Sequence, residues 1–141
     1  MVCELCNNDG GELLFRDAKL RVVAVTGAEA AYRGFCRVIW NVHIKEITDL
    51  TRDDRNRFMD AVYRVETALR SSLEPDKMNI ASLGNMTPHL HWHVIPRFQD
   101  DATFPKPIWA NAFTPADMPS SAILGDSTKW KEAVRFALSA R

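Results

Sequence analysis

No stretch of this chain is long and apolar enough to cross a bilayer as a helix, and Met1 to Cys6 lacks the basic-then-apolar order of an export signal. A cytoplasmic protein that does not enter membranes is expected. Charge of one sign is also missing: 18 Lys and Arg stand against 18 Asp and Glu. That balance argues against a protein that coats a nucleic-acid polymer, which needs a basic surface, but leaves room for a small phosphorylated ligand met by a local positive site. Cys3, Cys6 and Cys36 are too few and too unevenly placed for a disulfide scaffold. There is no internal repeat, and 141 residues with 46% hydrophobic content suit a single domain over 1–141 around one core.

Histidine is scarce too, with four in the chain, yet three of them alternate within five positions of His89-Leu90-His91-Trp92-His93-Val94-Ile95-Pro96-Arg97-Phe98. In a strand that spacing puts His89, His91 and His93 on one face and Leu90, Trp92 and Val94 on the other. The β-branched and aromatic content and the preceding Thr87-Pro88 favour a strand over a helix. Three readings of the row compete. It can be a set of hydrogen-bonded imidazoles on a sheet face. It can be a metal site, although at a rise of roughly 3.3 Å per residue His89 and His93 lie about 13 Å apart, too far to share one ion. It can be nucleophilic and acid-base machinery acting on phosphate, since imidazole titrates nearest neutrality and like neighbours disfavour charging all three at once.

The stretch His89-Leu90-His91-Trp92-His93-Val94-Ile95 resembles the mark of the histidine triad family, His-x-His-x-His followed by two apolar residues. Upstream, Gly84-Asn85-Met86-Thr87-Pro88 stands where members carry a glycine and a polar amide, and Arg33 to His43 is similar to the family's Pro-Gly-His strand ending in histidine. The likeness runs from about Cys3 to Phe98 and is nearest to the short bacterial branch described as diadenosine tetraphosphate hydrolase-like. Arg33, Phe35 and Asn41 replace the usual proline, histidine and lysine, and Trp40 takes a second proline position.

The resemblance implies an α+β fold, an antiparallel sheet of about five strands with one long helix and a short C-terminal helix, assembled as a twofold dimer whose sheets join. It also implies that His91 attacks the α-phosphorus of a nucleotide derivative, that His93 donates to phosphate oxygens, and that His89 orients its neighbours. His93, where the uridylyltransferase branch has glutamine, favours hydrolysis. Asn85 and Asn79 match amides near the reacting phosphate, Thr87 can supply a hydroxyl, and Glu29 is the acid available to accept from a ribose. For Glu29 a solvated loop residue, and for Asn85 a turn amide, are the plain alternatives. Cys3-Glu4-Leu5-Cys6 is either two free thiols or half of a structural zinc site; some bacterial members complete such a site from positions corresponding to His43 and His89. The chemistry itself needs no cofactor. Three functions follow: a dinucleoside polyphosphate hydrolase, an adenosine phosphoramidate hydrolase, or a non-catalytic nucleotide-binding regulator. A hydrolase using metal-bound water is a further class, and chelation would distinguish it.

Elsewhere, Glu12 to Phe15 and Leu20 to Val25 read as strands and Thr26 to Arg33 as a loop. Phe35 to His43 reads as a central strand, with Cys36 in the core. Thr51 to Leu73 reads as a helix capped by Thr51, with Phe58, Val62, Val65 and Leu69 as its apolar stripe and its arginines on a solvated face. Lys77 to Leu83 should be the strand before the Gly84 turn. The segment 99–125, with four prolines among Phe104, Trp109 and Phe113, is irregular and expected to pack over the active site or a dimer partner, with disorder as the alternative. Asp126 or Ser127 then caps a helix over 126–141.

Overall fold

A computed structural model of the chain describes residues 2–110 and 127–139. Five strands, β1 (Glu12–Arg16), β2 (Leu20–Ala24), β3 (Cys36–Trp40), β4 (Lys77–Ala81) and β5 (His91–Arg97), form one sheet in the order β1-β2-β3-β5-β4 with every neighbouring pair antiparallel. Helices α1 (Glu4–Asn7), α2 (Arg52–Leu73) and α3 (Ser127–Ser139) complete the described elements. This is the expected α+β architecture. No helix among the described residues is long and apolar enough to cross a membrane.

The helix α2 starts where Thr51 Oγ1 accepts from the Asp54 amide at 3.2 Å, and stops at Glu74, which takes a left-handed backbone (φ 50°) ahead of Pro75. Phe58, Val62, Val65 and Leu69 recur at helical spacing and are fully buried against Val22, Val38 and Val94 on one face of the sheet. Burial of each such side chain stabilises the fold by about 1.5–3 kcal/mol. Trp130, Val134 and Leu138 of α3 close the same core. The arginines of α2 are less solvated than expected: Arg57 bonds Asp17 at 2.9 Å, and Arg64 donates to the Ala137 carbonyl at 2.9 Å, tying α2 to its neighbours.

Two strands end two or more residues earlier than the sequence pattern predicts. The strand expected to reach His43 ends at Trp40; the Asn41 amide still bonds the Lys19 carbonyl at 2.8 Å, while its side chain donates to the Asp17 carbonyl and accepts from Arg21. The one expected to reach Leu83 ends at Ala81, and the Ser82 hydroxyl then donates to the His91 carbonyl at 2.6 Å in place of a backbone rung. The loop between β2 and β3 contains a short 3-10 turn, Ala28–Ala31. Residues 99–110 are irregular, as expected; 111–125 and the alternative cap Asp126 lie outside the described residues.

The other face of the sheet is covered by two pieces of chain, each held by a buried arginine. Arg21 donates to the carbonyls of Leu5 (2.6 Å), Asp9 (3.0 Å) and Asn8 (3.2 Å), which lays α1 and its following turn on the sheet with Leu5 against Val23 and Ile39. Gly10 in that turn has φ +88°, and a Cβ there would stand 2.7 Å from Leu5 and 3.0 Å from Ile39. Arg97 pairs with Asp101 through two bonds of 2.8 and 2.9 Å and donates to Asn79 Oδ1 at 2.9 Å and Thr103 Oγ1 at 3.2 Å. Asp101 also accepts the amides of Phe98, Thr103 and Phe104, so the chain after β5 turns back across this face. There Ile108 joins Val25, Tyr32, Phe35 and Ile95 in a second small core.

Candidate active site and the cysteine–histidine cluster

Strand alternation sets His91 and His93 side by side on the face away from α2, opposite Ile39 and Arg37 of β3 respectively. Their rings are edge to face with centroids 4.9 Å apart, and both are buried. His91 Nδ1 donates to the His89 carbonyl at 2.6 Å, so the free nitrogen of the neutral ring is Nε2. Burial, and then the Arg37 guanidinium, hold His91 below the usual imidazole range against the opposing pull of that hydrogen bond. His93 is pushed down to about 3 by burial, with His91 and Arg37 adding to the effect. Two neutral imidazoles at neutral pH make a nucleophile and a neighbouring hydrogen-bonding group. His93 packs against Phe35 and Trp109, at 5.7 and 4.9 Å between ring centroids, and its Nδ1 is buried with no hydrogen-bond partner. His91 opens onto a cavity of about 330 Å³ whose lining includes Arg37, Thr87, Leu5, Asn8 and Glu4.

His89 does not continue the row. The expected strand face of three imidazoles holds two, because β5 begins at His91 and a tight turn, with the His89 amide donating to the Thr87 carbonyl at 2.8 Å, swings residue 89 out of register. Its ring is fully buried, with Nε2 donating to the Trp40 carbonyl at 2.6 Å. The other nitrogen, Nδ1, faces Cys3 Sγ at 3.4 Å, Cys6 Sγ at 3.5 Å and His43 Nδ1 at 3.3 Å. Both nitrogens are therefore engaged, and His89 meets His91 through its backbone rather than its ring.

The four side chains Cys3, Cys6, His43 and His89 form a compact set whose candidate ligand atoms all lie within 4.8 Å of one another. Cys3, the N-cap of α1, and Cys6 within it stand one helical turn apart, with His43 in the turn beyond β3 and His89 just before β5. Ligand bonds of about 2.0–2.3 Å in a tetrahedron give edges of about 3.3–3.8 Å, which the sulfur–nitrogen and nitrogen–nitrogen separations match. The bond from His89 Nε2–H to a backbone carbonyl is the outer contact that orients a metal-ligating histidine. By geometry and donor chemistry the set fits a closed zinc site.

The remaining sequence candidates separate. Thr87 lines the His91 cavity. Asn85 is exposed on the 82–90 loop, and Asn79 is engaged by Arg97; neither lines that cavity. Glu29 lies beside the histidines: its carboxylate accepts from Arg37 at 3.3 Å and from Trp109 Nε1 at 3.0 Å. Trp109 brings the expected cover from the 99–110 segment onto His93. Arg37 is the site residue that the motif did not point to. Alternation of Phe35, Arg37 and Ile39 was readable, but their face is set by pairing with His93 and His91.

A family model described as HIT domain matches residues 13–100. Solved structures with the same fold include a histidine triad protein from Bradyrhizobium japonicum (TM-score 0.71, 23% identity, covering 96% of this chain and 95% of that one). Another is a histidine triad protein from Marinobacter aquaeolei VT8 (TM-score 0.72, 22% identity, 99% and 96%). A third is a zinc-bound histidine triad family protein from Mycobacterium smegmatis (TM-score 0.64, 21% identity, 99% and 94%). No curated protein matches the chain.

Proposed function

The chain belongs to the HIT domain family, and from that premise we propose that it is a nucleotide hydrolase cleaving at the α-phosphate of a dinucleoside polyphosphate through a nucleotidyl-histidine intermediate on His91. The observation that carries this reading is the hydrogen bond from His91 Nδ1 to the His89 carbonyl, which leaves Nε2 unprotonated on a ring that opens onto the cavity. Nε2 attacks the α-phosphorus, and the bond to the bridging oxygen breaks with its electron pair on the departing nucleoside polyphosphate. Water then attacks the same phosphorus, its proton passes to solvent, and the nucleoside monophosphate leaves with His91 neutral again. The N–H of His93 donates to a non-bridging oxygen as charge develops there. Thr87, which lines the same cavity, supplies a hydroxyl to the leaving group.

Cys3, Cys6, His43 and His89 would hold zinc, which supplies a cross-link between α1, the turn after β3 and the start of β5. Cys3 and Cys6 kept as zinc ligands rather than joined in a disulfide would suit a reducing, cytoplasmic location. We further propose a homodimer joined along β4. This strand pairs with β5 on one side and, among the described residues, with none on the other; Ile80 and Leu83 beside that edge are exposed. A sedimentation mass of one chain would remove the dimer.

The test of the hydrolase reading is turnover of diadenosine tetraphosphate, diguanosine tetraphosphate and an adenosine phosphoramidate by purified protein without added metal, with His91→Asn as the blank. Polyphosphate hydrolysis far above the phosphoramidate rate, with a dead blank, supports it. A folded His91→Asn protein that turns over at the wild-type rate sinks the mechanism. Faster phosphoramidate cleavage reassigns the substrate, and binding without turnover of any of the three reassigns the protein as a nucleotide binder.

A further inference from the structure

The α-phosphate of a nucleotide derivative spreads its negative charge over two non-bridging oxygens, and fixed donors aimed at them lower the barrier to attack on phosphorus. His93 serves one of those oxygens in the reading above, which leaves the other to be met. Among the described residues, one cation lines the cavity onto which His91 opens, and it is Arg37. Two acids stand nearby without cancelling it. Glu4 is exposed on α1, where water and salt screen its charge, and Glu29 is shared between Arg37 and Trp109 Nε1.

Register puts this arginine within reach of the chemistry. β3 pairs Arg37 with His93 and Ile39 with His91, so Arg37 lies directly across from one imidazole and diagonally from the other on the same face. Such neighbours stand about 5 Å and about 7–8 Å apart, spans that a long side chain covers. Its guanidinium is also the least committed of three on this face. Arg21 is spent on four acceptors at 2.6–3.2 Å, and Arg97 on Asp101, Asn79 and Thr103 at 2.8–3.2 Å. Arg37 Nη1 reaches the Gly10 carbonyl only at 3.5 Å and Nη2 reaches Glu29 at 3.3 Å, the two side chains of that ion pair being 23% and 34% exposed. A pair so long and so open to water is weak, whereas phosphate oxygens match the guanidinium fork in both charge and shape.

Resting on the hydrolase reading above, we propose that Arg37 is a further catalytic residue, whose guanidinium leaves Gly10 and Glu29 to donate to the non-bridging α-phosphate oxygen that His93 does not serve. The test uses the fastest of the three substrates named above, together with its two isomers carrying sulfur in place of one or the other non-bridging α-oxygen. Sulfur accepts hydrogen bonds poorly, so the isomer with sulfur toward Arg37 has little left to lose when the arginine is removed. In single-turnover kinetics Arg37→Met should slow the parent substrate by roughly a hundredfold, with nucleotide affinity changed far less, and should slow the two isomers unequally. Arg37→Lys keeps the charge without the fork and should regain part of the rate. A folded Arg37→Met protein at the wild-type rate, or one that slows both isomers equally, overturns the assignment and leaves the hydrolase reading standing. If Arg37→Met does not fold, Arg37→Lys decides: the wild-type rate and isomer ratio in that variant overturn the assignment, and a shift in either upholds it. A wild type that turns over none of the three substrates overturns both readings.

Discussion

His91 Nδ1 and the carbonyl oxygen of His89 are 2.6 Å apart, and the hydrogen bond between them fixes which nitrogen of the His91 ring is free. Asparagine at 91 keeps a small polar side chain but offers no basic nitrogen to phosphorus. His91→Asn should lower kcat by roughly a thousandfold or more while nucleotide affinity changes little, read by single-turnover kinetics beside equilibrium titration. Loss of binding in parallel with turnover would assign His91 to the pocket rather than to the chemistry.

His93 makes stability depend on pH with a definite sign. Its folded value of about 3 lies below the ordinary 6.5, so between those limits the unfolded chain binds a proton that the folded chain refuses. Its contribution is whole above pH 6.5 and is lost progressively as pH falls toward 3, with a slope of at most about 1.4 kcal/mol per pH unit. Urea unfolding of the wild type and His93→Phe across this range should show the variant with the flatter profile. Parallel profiles would mean that His93 titrates normally in the fold.

Cys3 and Cys6 predict a metal stoichiometry. Protein purified from zinc-supplemented cells should carry one zinc per chain, and Cys3→Ser or Cys6→Ser should lose it, together with hydrogen-exchange protection at Leu5 and Asn8. Chelation should lower the melting temperature without quenching turnover of protein that stays folded. A rate that collapses on chelation before any unfolding would make the metal part of the chemistry.

The pair Arg97–Asp101 has side chains 2% and 3% exposed, so removing one partner strands the other. Asp101→Ala should cost about 3–5 kcal/mol in urea unfolding. The double variant Arg97→Met, Asp101→Leu should recover much of that loss. If the single substitution is nearly silent, water reaches the guanidinium and the pair is not the anchor of the 99–110 segment.

Much of this molecule was legible in its sequence because period and punctuation were strong. Helical spacing from Phe58 to Leu69 and the Thr51 cap located α2 to within a residue, and alternation in His91 to Phe98 gave β5. The four-residue cysteine–histidine set came from family resemblance and is met by the geometry. What pattern could not supply was register and local turning. A strand reading extended to His89 has no means of seeing the bond from the His89 amide to Thr87 that turns its ring toward Cys3. Arg37 looked like an ordinary strand residue until pairing put it opposite His93, and Arg97 looked like a polar exit from β5 although its guanidinium is buried with Asp101.

Arg21 grips the N-terminal turn by the carbonyl oxygens of Leu5, Asn8 and Asp9, atoms that every amino acid possesses. The side chains are held separately, Asn8 Oδ1 accepting the Gly10 amide at 2.9 Å and Asp9 pairing with Arg16, so a change in either leaves the grip of Arg21 in place. Main-chain anchoring separates support from surface, so a lineage could exchange Asn8, and with it part of the lining of the His91 cavity, without first having to rebuild what Arg21 holds beneath it.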